Sequence, residues 1–507
     1  MGICLHFPVN RFFPVLCVGL LLWAAPIVGV VEVGAEVTMP PVFGDHMILQ
    51  QEMTLPIWGN ATPGESVSVS CFGRYAETRA DKAGRWRVTL RPLPTSFERG
   101  DLVVNGNNRI EIHDVIVGDV WICAGEGNMK MPLSESSRAS EGAVLNDQAL
   151  RFFNSEKWVL CTPETAAHFS AVGYFFARDL RAATRFPIGI ISCTAENSSI
   201  TSWISRNGLS ASPSILPQRI SSPPSDVVAG KGAGAPSSLF QSLMAPVIPY
   251  AMTGVIWYQG ESDEGSAALQ YRRLLPRLIR DWRAHWGEGP FPFYTVSLAG
   301  FGSAEGSAVE PYEIANNVGA NRQSSVSGAT RRGWPWTREG IASALTLPAT
   351  GMAVATDLGV QDERYPPDKL NVGRRLALLA RHRVYGEKLL DVGPTYRGMK
   401  VEGNKVRVNF DLDSVGGGLT LGISPSQEGG SAFSLSTGLR GFAVAGSDHK
   451  WFAAQGGIDG SSVQVSSDAV LHPVAVRYNW RGFPVGNLYN KEGLPAPPFR
   501  SDCDQPN

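Results

Sequence analysis

The sequence predicts an α/β domain with a central parallel sheet in a three-layer sandwich, flanked on both sides by β-sandwich-like segments. Three observations predict this. Residues 36–115 carry short alternating runs separated by turn signals. Residues 116–390 alternate apolar strand-like runs with amphipathic helical ones, and after Gly393 the alternating runs return. At 507 residues the chain is too long for one ordinary domain, and with 43% hydrophobic and 18% charged residues it can bury a large core.

The N-terminus comes first. Arg11 precedes an almost wholly apolar run, Phe12 to Val31, and Val33-Gly34-Ala35 offers small residues for a cut near Ala35. Residues 1–35 are therefore expected to be a signal peptide, and the protein secreted or periplasmic. The alternative is a membrane anchor formed by the uncleaved segment, since the run is near spanning length. No stable membrane partner is otherwise expected. Five cysteines follow residue 35 (Cys71, Cys123, Cys161, Cys193, Cys503), an odd number without zinc spacing. Cys123 and Cys193 lie in apolar runs and read as buried thiols; one disulfide stays open. A formal net charge of −1 argues against an obligatory nucleic-acid partner.

Within 36–115, Ser66–Ser70 and Trp86–Leu90 alternate between turns such as Thr62-Pro63-Gly64-Glu65 and Asn105-Gly106, which suggests a small sandwich. In 116–390 the expected strands are Val115–Cys123, Phe186–Ser192, Met252–Tyr258, Phe291–Leu298 and Met352–Asp357. The expected helices are Ser170–Ala183, Tyr271–Trp286 and Lys369–Tyr385. Ser212–Ser238 and Gly300–Arg332, rich in small residues and turn formers, read as surface loops. In 391–507, Lys405–Phe410 and Ser462–Ser466 alternate cleanly. The terminal β segments are expected to meet as one unit, because chain termini often lie close together.

The motif richest in chemistry is Gly118-Asp119-Val120-Trp121-Ile122-Cys123-Ala124-Gly125-Glu126-Gly127-Asn128-Met129. It resembles the first signature block of the sialate O-acetylesterase family, carbohydrate esterases of the SGNH-hydrolase type. Further stretches carry the same resemblance: Phe43–Gln50, Trp58–Glu65, Trp257-Tyr258-Gln259-Gly260-Glu261-Ser262-Asp263, and Val476–Arg500. The resemblance covers nearly the whole chain after residue 35. It implies an SGNH-like fold, no cofactor, no metal, and a carbohydrate ligand such as O-acetylated sialic acid or another acetylated sugar.

Ester hydrolysis of this type needs a nucleophile, a base oriented by a carboxylate, and donors for the developing oxyanion. By resemblance Gly127 stands at the nucleophilic serine, and Asn128 is kept. The family's second block, with its two glycines, aligns with Ala195-Glu196-Asn197-Ser198, so Glu196 and Asn197 become ligand-facing candidates. Gln259 inherits an oxyanion role, and a tight self-bonded turn is the equal rival reading. Glu261 is a further ligand candidate. In the last block Asp362 keeps the acid position, while Tyr365 replaces the basic histidine, and a phenol is a poor base at neutral pH. His46 and His382 read as structural rather than catalytic.

The reading that follows is a secreted, catalytically degenerate pseudo-esterase that retains a carbohydrate cleft. Trp203, Trp257, Tyr258, Gln259, Glu261 and Arg338 are its candidate sugar contacts. The alternative is an active carbohydrate O-acetylesterase using another nucleophile (Ser198, Ser199 or Ser262) and another base. A third reading turns Glu126, Glu196, Glu261, Asp362 and Glu363 to glycosidic acid/base chemistry or to a hard cation.

Overall fold

The computed structural model describes residues 36–142, 146–210, 234–302, 333–422 and 438–503. The expected signal segment and nearly all of the two expected loops lie outside these residues. Residues 36–507 form one compact unit.

Seven strands lead into the centre: β1 (Ile48–Gln50), β2 (Leu55–Asn60), β3 (Ser66–Cys71), β4 (Arg74–Arg79), β5 (Arg85–Leu90), β6 (Ser96–Asn105) and β7 (Arg109–Gly125). The last is the spine of the molecule. Its first half pairs antiparallel with β6, and Ile116–Gly118 pair parallel with β1. Its second half pairs parallel with β10 (Ile188–Thr194) and β11 (Gly254–Tyr258), reached after β8 (Asp147–Phe153) and β9 (Trp158–Cys161). With β12 (Phe293–Ser297) and β13 (Thr350–Val354) the order becomes β13-β12-β11-β7-β10-β8-β9. All neighbours in that row are parallel except β8 and β9. Buried on both faces, these strands read as unbroken apolar runs, as the centre of a parallel sheet requires.

The helix Ala171–Thr184 packs with Leu370–Arg383, and Ser266–Trp286 packs with Trp334–Ala342. Ser170 caps the first by accepting from the Gly173 N–H at 3.1 Å. The fold class is as expected. The expected helices are present with shifted ends, and Trp334–Ala342, which opens on Trp-Pro, is an addition.

β8 and β9 are the other additions. β8 was hidden by Arg151, a charge in the middle of the strand. Its fully buried guanidinium donates to the His46 and Asp114 carbonyls and pairs with the Asp114 carboxylate at 3.2 Å. His46 lies against the same Asp114 carboxylate at 2.6 Å, a structural role as expected. Cys123 and Cys193 are buried thiols inside β7 and β10.

The joined terminal β unit is not what the structure shows. The N-terminal module shares β7 and one continuous apolar core with the central domain. The C-terminal strands, from Tyr396–Glu402 to Phe499–Arg500, pair among themselves around a core of their own. Arg338 ties that segment to the centre. Fully buried, it donates to the Leu298 and Ala299 carbonyls and to those of Arg481 and Gly482. The loop 481–484 thereby rests beside the end of β12, where the Phe301 N–H donates to Gly482 O at 3.0 Å.

Candidate functional site

Chain order places β7 at the switch point: β8 and β10 are laid down on one side of it, then β11, β12 and β13 on the other. In such sheets the crevice opens outside the carboxyl ends of the strands flanking the switch. Gly127 follows β7, Glu196 follows β10, Gln259 follows β11, and Asp362 follows β13. All four candidates therefore stand at the same sheet edge, as expected.

The turn after β7 is tight. Gly125 has φ +147°, and a Cβ there would lie 2.0 Å from Tyr258 O on the neighbouring strand. Only glycine permits that approach. Gly127 opens the short helical turn Gly127–Lys130. A Cβ built on it would lie 2.3 Å from Cε1 and 2.4 Å from Cζ of Tyr365. The phenol ring thus fills the space in which a side chain at 127 would stand. Tyr365 is half-buried, and burial raises its pKa further above the ordinary phenol value.

Beneath this pair lies a buried polar network. The Glu126 carboxyl accepts from the N–H groups of Gly260 (3.1 Å), Ser262 (2.9 Å) and Ser198 (3.2 Å), and from the Ser262 hydroxyl (2.6 Å). Gln259 donates to Ser198 O (2.8 Å) and Asp263 Oδ2 (2.7 Å), while its own Oε1 accepts from the Tyr271 hydroxyl (2.8 Å). Both ends of the amide are committed to the protein, the arrangement expected of the self-bonded turn. Asp263 accepts from the Ser199 hydroxyl (2.7 Å) and the Ile200 N–H (2.9 Å), and burial pushes its pKa up to about 6.

Asn128 donates to Glu261 Oε1 at 2.5 Å and accepts from Lys369 Nζ at 2.5 Å. Burial, with the Glu126 carboxyl alongside, holds the Glu261 pKa far above the usual carboxylate range. Burial also lowers Lys369 to about 7.

The outer rim is charged. Glu196 and Asn197 are exposed, and Glu196 turns outward to pair with Lys130 at 3.0 Å. Arg364 donates to Glu261 O and pairs with Glu264 at 3.2 Å, its guanidinium 6.0 Å from the Tyr365 ring centroid. Asp362 is exposed with φ +58°, and its N–H donates to Gly302 O at 3.2 Å. Its carboxylate makes no hydrogen bond to Tyr365 among the described residues.

A family profile described as carbohydrate esterase, sialic acid-specific acetylesterase matches residues 117–327. Human sialate O-acetylesterase is 27% identical, with 96% of this chain and 95% of that protein covered. The mouse protein is 29% identical, with 90% and 92% covered. The crystal structure of a carbohydrate acetylesterase from Xanthomonas citri superposes with a TM-score of 0.76 at 34% identity, covering 92% of this chain and all of that one. The chain belongs to the sialate O-acetylesterase family.

As a member of that family it departs from the sequence-based expectations in several places. Trp203 and Trp257 are not sugar platforms. They sit at no more than 1% exposure in an edge-to-face aromatic stack with Trp282, ring centroids 5.3 and 5.6 Å apart. Tyr258, Gln259 and Glu261 are equally buried, and Arg338 is the clamp on the C-terminal segment. The three candidate replacement serines are also engaged: Ser198 donates to Ala195 O, Ser199 to Asp263 and Ser262 to Glu126. His382 lies against Asp391 at 3.1 Å and is structural. Among the described residues no group of three or more His, Cys, Asp or Glu is arranged to hold a metal ion. Sequence reasoning overlooked Lys130 and Arg364. Both were signalled by position, one a helical turn after Gly127 and the other directly before Tyr365.

Proposed function

We propose that this family member is a secreted protein that binds an acetylated carbohydrate at the Gly127–Tyr365 edge and does not hydrolyse it by the serine–histidine route. One observation carries this reading. Tyr365 packs into the volume a side chain at 127 would need, so the two replacements form one fitted pair. Glycine supplies no attacking oxygen, and a phenol whose pKa is raised further is a poor base at neutral pH. Loss of triad members leaves at most a residual acceleration of roughly 10³–10⁴ over water.

The alternative, hydrolysis through another serine, has less support. Each of the three nearby serines donates to a carbonyl or carboxyl oxygen, and among the described residues none of their hydrogen bonds involves a histidine. Export is supported by the Arg11 to Ala35 pattern alone. N-terminal sequencing of protein recovered outside the cytoplasm checks it, with a start near residue 36 expected.

A fluorophosphonate serine-hydrolase probe, together with calorimetry against acetylated oligosaccharides, tests the whole reading. Sugar binding without covalent labelling is expected. Labelling that Ser262→Ala or Ser198→Ala abolishes would establish the alternative.

A further inference from the structure

The rim around Tyr365 also carries information about ligand charge. Three cations approach the centre among the described residues. Lys130, on the turn that begins at Gly127, is held by Glu196 at 3.0 Å. Arg364 is held by Glu264 at 3.2 Å and by the Glu261 carbonyl. Lys369 is buried inside, donating to Asn128 Oδ1 and Pro366 O at 2.5 Å each. Each cation is thus already committed to an acceptor of the protein. Two further carboxylates, Asp362 and Glu363, stand exposed in the loop that carries Tyr365. The influence of Glu196 reaches Tyr365, where its charge helps raise the phenol pKa.

We infer that this site selects an uncharged acetylated sugar over an acidic one such as an O-acetylated sialic acid, and that Glu196 is a specificity-determining residue. The inference rests on the carbohydrate-binding function proposed above and deepens it. A sugar carboxylate would have to displace Glu196 from Lys130, or Glu264 from Arg364, and would still face the exposed Asp362 and Glu363 of the Tyr365 loop. Opening an exposed ion pair accounts for only up to about five-fold in affinity. The exposed carboxylates add a repulsion that salt screens over a Debye length of roughly 8–10 Å. An uncharged sugar meets neither obstacle.

The test is calorimetry on the full-length protein with two ligands, an acetylated xylose oligosaccharide and O-acetylated sialic acid, at low and high salt. Wild type and Glu196→Gln are compared. Glu196 is exposed and contributes one surface pair, so the variant is expected to fold, and its melting temperature checks this. Wild type is expected to favour the uncharged sugar, with the preference narrowing in salt. Glu196→Gln is expected to shift the affinity ratio toward the sialic acid by about two- to five-fold, as release of one screened pair allows. A wild-type preference for the sialic acid, or an unchanged ratio in the variant, overturns the selectivity while leaving carbohydrate binding in place. Binding of neither sugar overturns the carbohydrate reading itself, and this inference with it.

Discussion

Two layers meet at the end of β7, and they differ from the family's motifs in opposite ways. The lower layer keeps the motif residues Asn128, Gln259 and Glu261, with Glu126 and Lys369 fitted among them. The side chains of Glu126, Asn128, Gln259, Glu261 and Lys369 are each bonded to another part of the chain. By the resemblance, the upper layer has exchanged the groups that would do chemistry: Gly127 for the serine, Tyr365 for the histidine, and Glu196-Asn197 for the glycines. The difference teaches that these motifs have two separable jobs. Buried polar groups left without partners are costly, so the lower layer is needed to fold whatever the upper layer does. The upper layer faces outward and can be rewritten so long as its members fit each other.

The largest effect should come from breaking the lower layer. Glu126→Ala strands the buried N–H groups of Ser198, Gly260 and Ser262. A loss of about 3–5 kcal/mol is expected, in line with an orphaned buried network, and urea unfolding measures it. A loss below about 1 kcal/mol would mean the lower layer is dispensable and the contrast between layers is false.

The next effect sharpens the upper layer. Gly127→Ser alone places its Cβ on the Tyr365 ring. We expect a cost of about 1–3 kcal/mol for overpacking, less where the ring swings aside. In a Tyr365→Ala background that cost should vanish, giving a coupling of at least about 0.5 kcal/mol in a double-mutant cycle. Additive effects would show that the two positions are not a fitted pair.

The most gradual effect, spread over several pH units, concerns protons in the lower layer. Glu261 has a folded pKa well above its unfolded value of 4.5. Above pH 4.5 the folded state therefore holds a proton that the unfolded state has released, and stability falls as pH rises toward the folded pKa. Glu261→Gln keeps the shape of the protonated acid without that loss. Its stability relative to wild type should grow above pH 4.5 by at most about 1.4 kcal/mol per pH unit. Lys369 has the opposite sign. Its folded pKa is about 7 against 10.5 unfolded, so its contribution rises with pH between those values. Thermal melts across pH 4–9 of wild type, Glu261→Gln and Lys369→Met separate the two.

The same contrast explains what could be read in advance. The central strands were legible because a parallel sheet covered on both faces demands continuous apolar runs, and β7, β10, β11, β12 and β13 have them. β8 was not, because Arg151 breaks its run and finds its partners in residues far away in sequence. Gly127 and Tyr365 were legible as replacements, but their contact was not, because 238 positions separate them (365 − 127). The burial of Trp203, Trp257 and Arg338 was also hidden. An aromatic or a guanidinium reads alike in a sequence whether it faces a ligand or a neighbouring strand. The orientation of Glu196 was hidden in the same way, since it depends on the ion pair with Lys130.

The most direct measurement is acetyl-ester hydrolysis by purified wild type beside Asp362→Ala, with acetylated xylose and O-acetylated sialic acid as substrates. We expect both proteins to release acetate at the same background rate, since the proposed reading leaves neither an attacking oxygen nor a base. Turnover by wild type that falls when Asp362 is removed would contradict this, and would mean that the acid position still serves a working nucleophile.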